Sequence, residues 1–173
     1  MRNIILIGMP GCGKSTVGVV LAKTLGMHFV DTDLIIQRQN HDVLWHLIDK
    51  YGLKRFGELE DEALLSVPDT SDTVIATGGS AVFCERGMKF LKQTGLCVYL
   101  RVPVAELENR LKNIKTRGIA AAKGMTISDI CAERAPLYEK YADMTIDCLD
   151  MHIEDITGII ADIPEFRAEN EPG

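Results

Sequence analysis

The chain has 173 residues, 46% of them hydrophobic and 25% charged, with a net charge of −6. That length suits one domain with a real core, and the acidic balance argues against a general binder of nucleic acid or of an anionic membrane. No apolar run approaches the ~20 residues of a transmembrane helix, and Met1-Arg2-Asn3 leads straight into the first apolar stretch, leaving no room for a signal peptide. The five cysteines (Cys12, Cys84, Cys97, Cys131, Cys148) are odd in number and form no C-x-x-C pair, so they read as reduced thiols of a cytoplasmic protein.

Ile4-Ile5-Leu6-Ile7 is a short β-branched run of the kind that forms a buried parallel strand. Gly8-Met9-Pro10-Gly11-Cys12-Gly13-Lys14-Ser15-Thr16 follows and fits the phosphate-loop spacing G-x-x-x-x-G-K-[ST] without mismatch. Residues 17–25 then read as an amphipathic helix, which completes the strand–loop–helix setting the motif needs. Its glycines let backbone N–H groups turn inward toward phosphate oxygens, and the helix start adds its positive end. Gly11, Cys12, Gly13, Lys14, Ser15 and Thr16 are therefore the nucleotide-binding candidates. Lys14 can reach the β- and γ-phosphates, and the Ser15 hydroxyl can ligate Mg²⁺. Cys12 reads as an inert small residue, although a thiol beside N–H groups at a helix start can also acquire a lowered pKa.

A second strand over residues 28–31 runs into Asp31-Thr32-Asp33. Carboxylates at i and i+2 of a strand point the same way, at the end where open α/β sheets bind ligands. The pair can hold water around Mg²⁺ or take a proton from a hydroxyl; the alternative is a helix cap, since Leu34-Ile35-Ile36 follows. Asp42 is placed to cap a helix over 43–51 with Val43, Leu44, Leu47 and Ile48 on one face, leaving Trp45 and His46 off the stripe. Gly52 breaks the pattern, and a helix over 56–67 follows, its acids Glu58, Glu60, Asp61 and Glu62 reading as a solvated face.

Residues 73–76 form the third strand, ending in Thr77-Gly78-Gly79-Ser80, where paired glycines admit a ligand close to the backbone. A helix over 85–94 and a strand over 96–100 come next. Pro103 suits the start of a helix over 104–112, near whose end Arg110 meets the helix dipole or stacks on a base. Residues 113–124 are short of large apolar side chains and read as a basic lid or a solvated loop; as a lid, Arg117 would close over the phosphates. A helix from Thr126 or Ser128 through Tyr141 is expected to kink or break near Ala135, ahead of Pro136, which can turn Arg134 toward the cleft. Residues 144–147 and 153–163 give the last strand and helix, and 166–173 a polar tail. The alternation predicts one domain over residues 1–165: a five-stranded parallel sheet flanked by helices on both faces, a three-layer α/β/α architecture.

Taken in motif order, the chain resembles the shikimate kinase family from residue 3 to about 149. The matching pieces are the phosphate loop at 8–16, Asp-Thr-Asp at 31–33, Lys-Tyr-Gly at 50–52, Ala-Thr-Gly-Gly at 76–79, Arg110-Leu111, Arg117, and Glu-Arg-Ala-Pro-Leu-Tyr at 133–138. The resemblance implies an ATP- and Mg²⁺-dependent kinase that phosphorylates a hydroxyl of shikimate. In it Lys14, Asp33 and Arg117 would be catalytic, and Ser15 and Asp31 would serve the metal. Arg110 would pack on adenine; Asp33, Gly78, Gly79 and Arg134 would bind the acceptor. It also implies a cytoplasmic monomer whose partner is a small hydroxy acid, with neither nucleic acid nor membrane.

Three positions depart from the family pattern. Gly57 stands where an arginine that helps hold the acceptor carboxylate is usual, a loss of about 1.5–3 kcal/mol for one charge-assisted hydrogen bond. Ser80 replaces the third glycine of the acceptor turn, and Arg117-Gly118-Ile119-Ala120 replaces Arg-Pro-Leu-Leu in the lid. All three lie on the acceptor side. They keep two alternatives open: a kinase of this fold for another hydroxy acid or polyol, and a nucleotide-binding regulatory protein without transfer activity.

Overall fold

Asn3–Ile7 (β1) is buried along its whole length, as the central strand of a parallel sheet must be. In the computed structural model, which describes residues 2–68, 71–111 and 118–166, β1 pairs in parallel with Thr73–Ala76 (β3) on one side and Gly95–Arg101 (β4) on the other. His28–Asp31 (β2) extends the sheet beyond β3, and Met144–Asp147 (β5) extends it beyond β4. The order is β2-β3-β1-β4-β5. All five expected strands are present, and β4 is one residue longer at each end than the sequence suggests.

The sheet is flanked by helices Lys14–Leu25 (α1), Thr32–Asn40 (α2), Leu44–Leu65 (α3), Glu85–Thr94 (α4), Val104–Leu111 (α5), Ile127–Tyr141 (α6) and Ile153–Ala161 (α7). The carboxyl ends of β1, β2 and β3 lie side by side and deliver the phosphate loop, Asp31 and Thr77 to one crevice, where α/β sheets bind ligands.

Several local expectations are corrected. The α1 helix begins at Lys14, three residues earlier than the apolar pattern implies. Val43, not Asp42, is the cap residue of α3; the Asp42 carboxylate accepts the Val43 N–H at 2.8 Å and meets the His46 ring at 2.6 Å. Gly52 interrupts α3 with non-helical φ 73° and ψ 171°, as its sequence suggests.

The α6 helix continues through Pro136 instead of breaking at Ala135. Proline removes one backbone donor, but a reciprocal Thr126–Asp129 capping box starts the helix, and buried Ile130, Arg134, Tyr138 and Tyr141 hold it down. Phe166, assigned by sequence to the tail, is fully buried in the main core, and its N–H donates to the Ile163 carbonyl at 2.9 Å. Burying an aromatic ring outweighs fraying near a chain end; residues 167–173 lie outside the described residues.

Phe166→Ala should therefore lower the unfolding free energy by about 3–5 kcal/mol. Urea denaturation checks this, and a change within about 0.5 kcal/mol, the range of ordinary surface substitutions, would return Phe166 to the tail.

Candidate active site

The donor half is built where β1 turns into α1. Gly13 caps the helix in the left-handed region at φ 99°, a conformation glycine adopts without strain. Lys14, only 7% exposed, lies over the loop and donates from Nζ to the carbonyls of Gly8 at 2.8 Å and Met9 at 2.9 Å. The Ser15 hydroxyl donates to Asp31 Oδ2 at 2.7 Å, while Asp31 Oδ1 accepts the Asp33 N–H at 3.0 Å. Asp31 thus does both things its sequence context allows: it caps α2 and it meets the loop.

Ser15 and Asp31 offer hard oxygen donors. Among the described residues no group of three or more His, Cys, Asp or Glu can hold a metal by itself. That donor set suits Mg²⁺, which keeps much of its water and relies on substrate phosphates. Arg110 Nη1 donates to the Gly11 carbonyl at 3.3 Å and pairs with Glu106, so it stands beside the loop on the donor side. Cys12 does not line the cleft. Its side chain is buried in the core beneath the loop, and its N–H is donated to the Met9 carbonyl at 3.2 Å.

A cavity of about 540 Å³ opens from this loop. Gly11, Gly13, Lys14, Ser15 and Thr16 line it at one end, and Asp33, Gly78, Gly79, Ser80 and Arg134 at the other. Gly78 is the crowded point of the acceptor half. Its N–H donates to Thr32 Oγ1 at 3.2 Å, and a Cβ placed on it would stand 2.4 Å from Glu60 Oε1 and 2.8 Å from Asp33 Oδ1. Only glycine fits between two carboxylates so close. Gly79 is fixed from behind: the hydroxyl of fully buried Tyr138 donates to its carbonyl at 2.6 Å.

Both carboxyls are pushed up the pH scale. Burial raises Asp33 to about 6, with Asp31 adding to the shift and Lys14 opposing it. Burial raises Glu60 to about 7; the Ser80 hydrogen bond opposes this, Asp33 reinforces it, and Arg134 and Lys14 oppose it. Glu60 is 1% exposed, which corrects its assignment to a solvated face. Glu58 and Glu62 lie on the exposed surface of α3 and half-buried Asp61 accepts the Gly87 N–H at 2.8 Å, but Glu60 shares the inward side of the helix with buried Phe56, Leu59 and Ala63.

Arg134 is also 1% exposed. Its Nη2 donates to the Ala120 carbonyl at 2.6 Å, whereas Nε and Nη1 are buried without a hydrogen bond. Gly118, Ile119 and Ala120, the described start of the expected lid, line the same cavity. Arg117 lies outside the described residues. Trp45 lines the cavity although 50% exposed; nothing in the helical stripe distinguishes it. Gly57 does not line this cavity. It borders a second one of about 690 Å³, which shares Phe56, Glu60, Ser80 and Ala120 with the first.

A phosphate loop at the end of a parallel strand, facing buried carboxyls and a buried guanidinium across one cavity, defines a P-loop phosphotransferase for a small acceptor. The comparisons narrow the class. The family model described as shikimate kinase matches residues 10–164. The shikimate kinase of Thermodesulfovibrio yellowstonii is 35% identical over 158 residues, covering 90% of this chain and 91% of the relative. That of Geobacter sulfurreducens is 35% identical over 172 residues, covering 98% and 93%. The solved shikimate kinase of Acinetobacter baumannii in complex with shikimate superposes with a TM-score of 0.88 at 31% identity, covering 98% of this chain and 96% of that one. The chain belongs to the shikimate kinase family.

A carboxyl whose pKa is higher folded than unfolded makes the native state less stable once pH rises past the unfolded value, because ionisation is easier in the open chain. Asp33→Asn and Glu60→Gln should therefore raise the melting temperature at pH 8. The gain should shrink as pH falls from about 7 toward 4. Calorimetric scans across that range check the sign; a gain independent of pH would contradict the buried-carboxyl assignment.

Proposed function

We propose that the chain transfers the γ-phosphoryl group of ATP to a hydroxyl of shikimate, with Mg²⁺ on the nucleotide. The observation that carries the acceptor assignment is Arg134, buried on the cavity wall with two of its nitrogens, Nε and Nη1, unspent. A planar guanidinium so placed matches a carboxylate, and the buried carboxyls across the cavity match hydroxyls of the same molecule. Family membership supports the same acceptor.

The roles of individual residues follow from their positions. Lys14 shifts its Nζ from the Gly8 and Met9 carbonyls to the β- and γ-phosphates, where its charge stabilises the transferring group. Asp33 accepts the proton of the attacking hydroxyl; its pKa of about 6 leaves it ionised yet basic near neutrality. Ser15 and Asp31 would hold Mg²⁺, the latter through water, and the ion would neutralise phosphate charge. The Gly78–Gly79 turn brings the acceptor against the backbone, and Arg134 orients it by its carboxylate. Arg110 borders the base; the part given to Arg117, over the phosphates, rests on the family resemblance alone, since that residue lies outside the described residues. Ile119 and Ala120 on the cavity wall help exclude water, which limits wasteful hydrolysis. No helix among the described residues is long and apolar enough to cross a membrane. By resemblance to the family we further propose a cytoplasmic monomer.

The test is a coupled ADP-release assay with shikimate and a panel of other hydroxy acids and polyols. Shikimate-dependent turnover is expected. Turnover only with another acceptor would move the assignment within the fold, and ATP binding with no acceptor-dependent turnover would overturn it. Lys14→Ala and Asp33→Asn should each lower kcat by about 10²–10³. Arg134→Ala should chiefly raise the acceptor KM, by about ten- to hundredfold. In the wild type, kcat/KM for the acceptor should fall as pH drops below about 6–7, as Asp33 and Glu60 take up protons.

A further inference from the structure

Glu60 is the buried group in the acceptor half that the transfer steps above leave unused. It lies on the inward side of α3 and forms part of the wall of both cavities. Around it stand Lys14 of α1, Asp33 of α2 and Arg134 of α6. Its Oε2 accepts a hydrogen bond from Ser80 Oγ at 2.6 Å, and its Oε1 is held against the Gly78 turn beside Asp33. One helical turn back, at Gly57, there is no side chain, and a Cβ there would meet nothing within 4 Å. Residues three apart share a helix face, so the position best placed to give Glu60 a cation from its own helix is empty. Ser80 fixes the carboxyl instead.

We propose that Ser80 is a positioning and specificity-determining residue of the acceptor site. Acting through Glu60, it holds a second carboxyl beside Asp33, so that the site selects an acceptor carrying neighbouring hydroxyls and one carboxylate. This rests on reading the cavity as a hydroxy-acid site. Asp33 meets the hydroxyl that is phosphorylated, Glu60 Oε1 meets the adjacent hydroxyl, and Arg134 takes the carboxylate. Without the Ser80 bond the Glu60 carboxyl is free to rotate toward the second cavity, and the adjacent hydroxyl loses its partner.

The test combines kinetics with infrared titration of the Glu60 carboxyl, its band identified by loss in Glu60→Gln. Ser80→Ala should raise the shikimate KM by about ten- to hundredfold, the scale of one hydrogen bond to a charged group, with the ATP KM within about twofold. Ser80→Thr, which keeps the hydroxyl, should restore it. The Glu60 band should titrate at higher pH in Ser80→Ala, because the bond that favours the ionised form is gone. In a Gly57→Arg background, where Glu60 gains a cation on its own helix, Ser80→Ala should change the shikimate KM by less than about twofold.

An unchanged shikimate KM, a parallel rise in both KM values, a Ser80→Thr variant as impaired as Ser80→Ala, or the same penalty in the Gly57→Arg background would each overturn the proposal. The infrared arm needs no acceptor. If shikimate is inert while the band still shifts, the acceptor assignment falls and the hold of Ser80 on Glu60 stands. An unmoved band overturns that hold whatever the kinetics show.

Discussion

The acceptor half of this molecule depends on one crowded turn. At Gly78 the backbone passes between the carboxyls of Asp33 and Glu60 with no room for a Cβ, while Thr32 accepts its N–H and Tyr138 holds the next carbonyl. Three helices thereby converge on two residues: α2 brings Thr32 and Asp33, α3 brings Glu60, and α6 brings Tyr138 and Arg134. Each contact is modest, but together they fix where an acceptor can lie relative to the phosphate loop. Because one parallel sheet carries both β1 and β3, the donor and acceptor halves share a rigid frame.

That convergence has an electrostatic consequence. Two carboxyls withdrawn from water beside one another are both made harder to ionise, and among the described residues neither forms a close ion pair. Lys14 is engaged with loop carbonyls, and Arg134 gives its one hydrogen bond to Ala120. The site therefore holds cations and anions near each other without close ion pairs among the described residues. Such an arrangement is poor for stability and useful for binding: a ligand bearing phosphates, hydroxyls and a carboxylate supplies the missing partners.

The donor half was legible in the sequence because its signals are local. The spacing of Gly8, Gly13, Lys14 and Ser15, preceded by an unbroken apolar strand, carries the geometry within a few residues of chain. All five strands were legible for the same reason, since a strand buried on both faces reads as a short apolar run. The acceptor half is assembled from distant segments, and its signals are correspondingly weak. Glu60 sits in a run of acids that looks solvated, and only its helical phase with Phe56 and Ala63 marks it as inward. Trp45 reaches the cavity from off the apolar stripe of its helix. Pro136 misled in the other direction: its missing donor is a local cost, and the packing of Ile130, Tyr138 and Tyr141 against the sheet outweighs it. Phe166 was lost among polar neighbours, although a single aromatic ring was enough to bring the chain back to the core.

The departures from the family pattern also look different once placed in space. In sequence, Gly57 and Ser80 are two separate losses on the acceptor side. In the structure Ser80 bonds the Glu60 carboxyl directly, while Gly57, one turn back on the same helix, carries no side chain and borders open space. Gly57 also lies outside the cavity that holds Asp33 and Arg134. A buried carboxyl can be oriented by an ion pair or by a short hydrogen bond from a hydroxyl. The first lowers its pKa strongly; the second fixes its direction while leaving its charge free to respond to what binds beside it. This chain has the second arrangement, and in the proposal above it is this bond from Ser80 that sets the direction of Glu60.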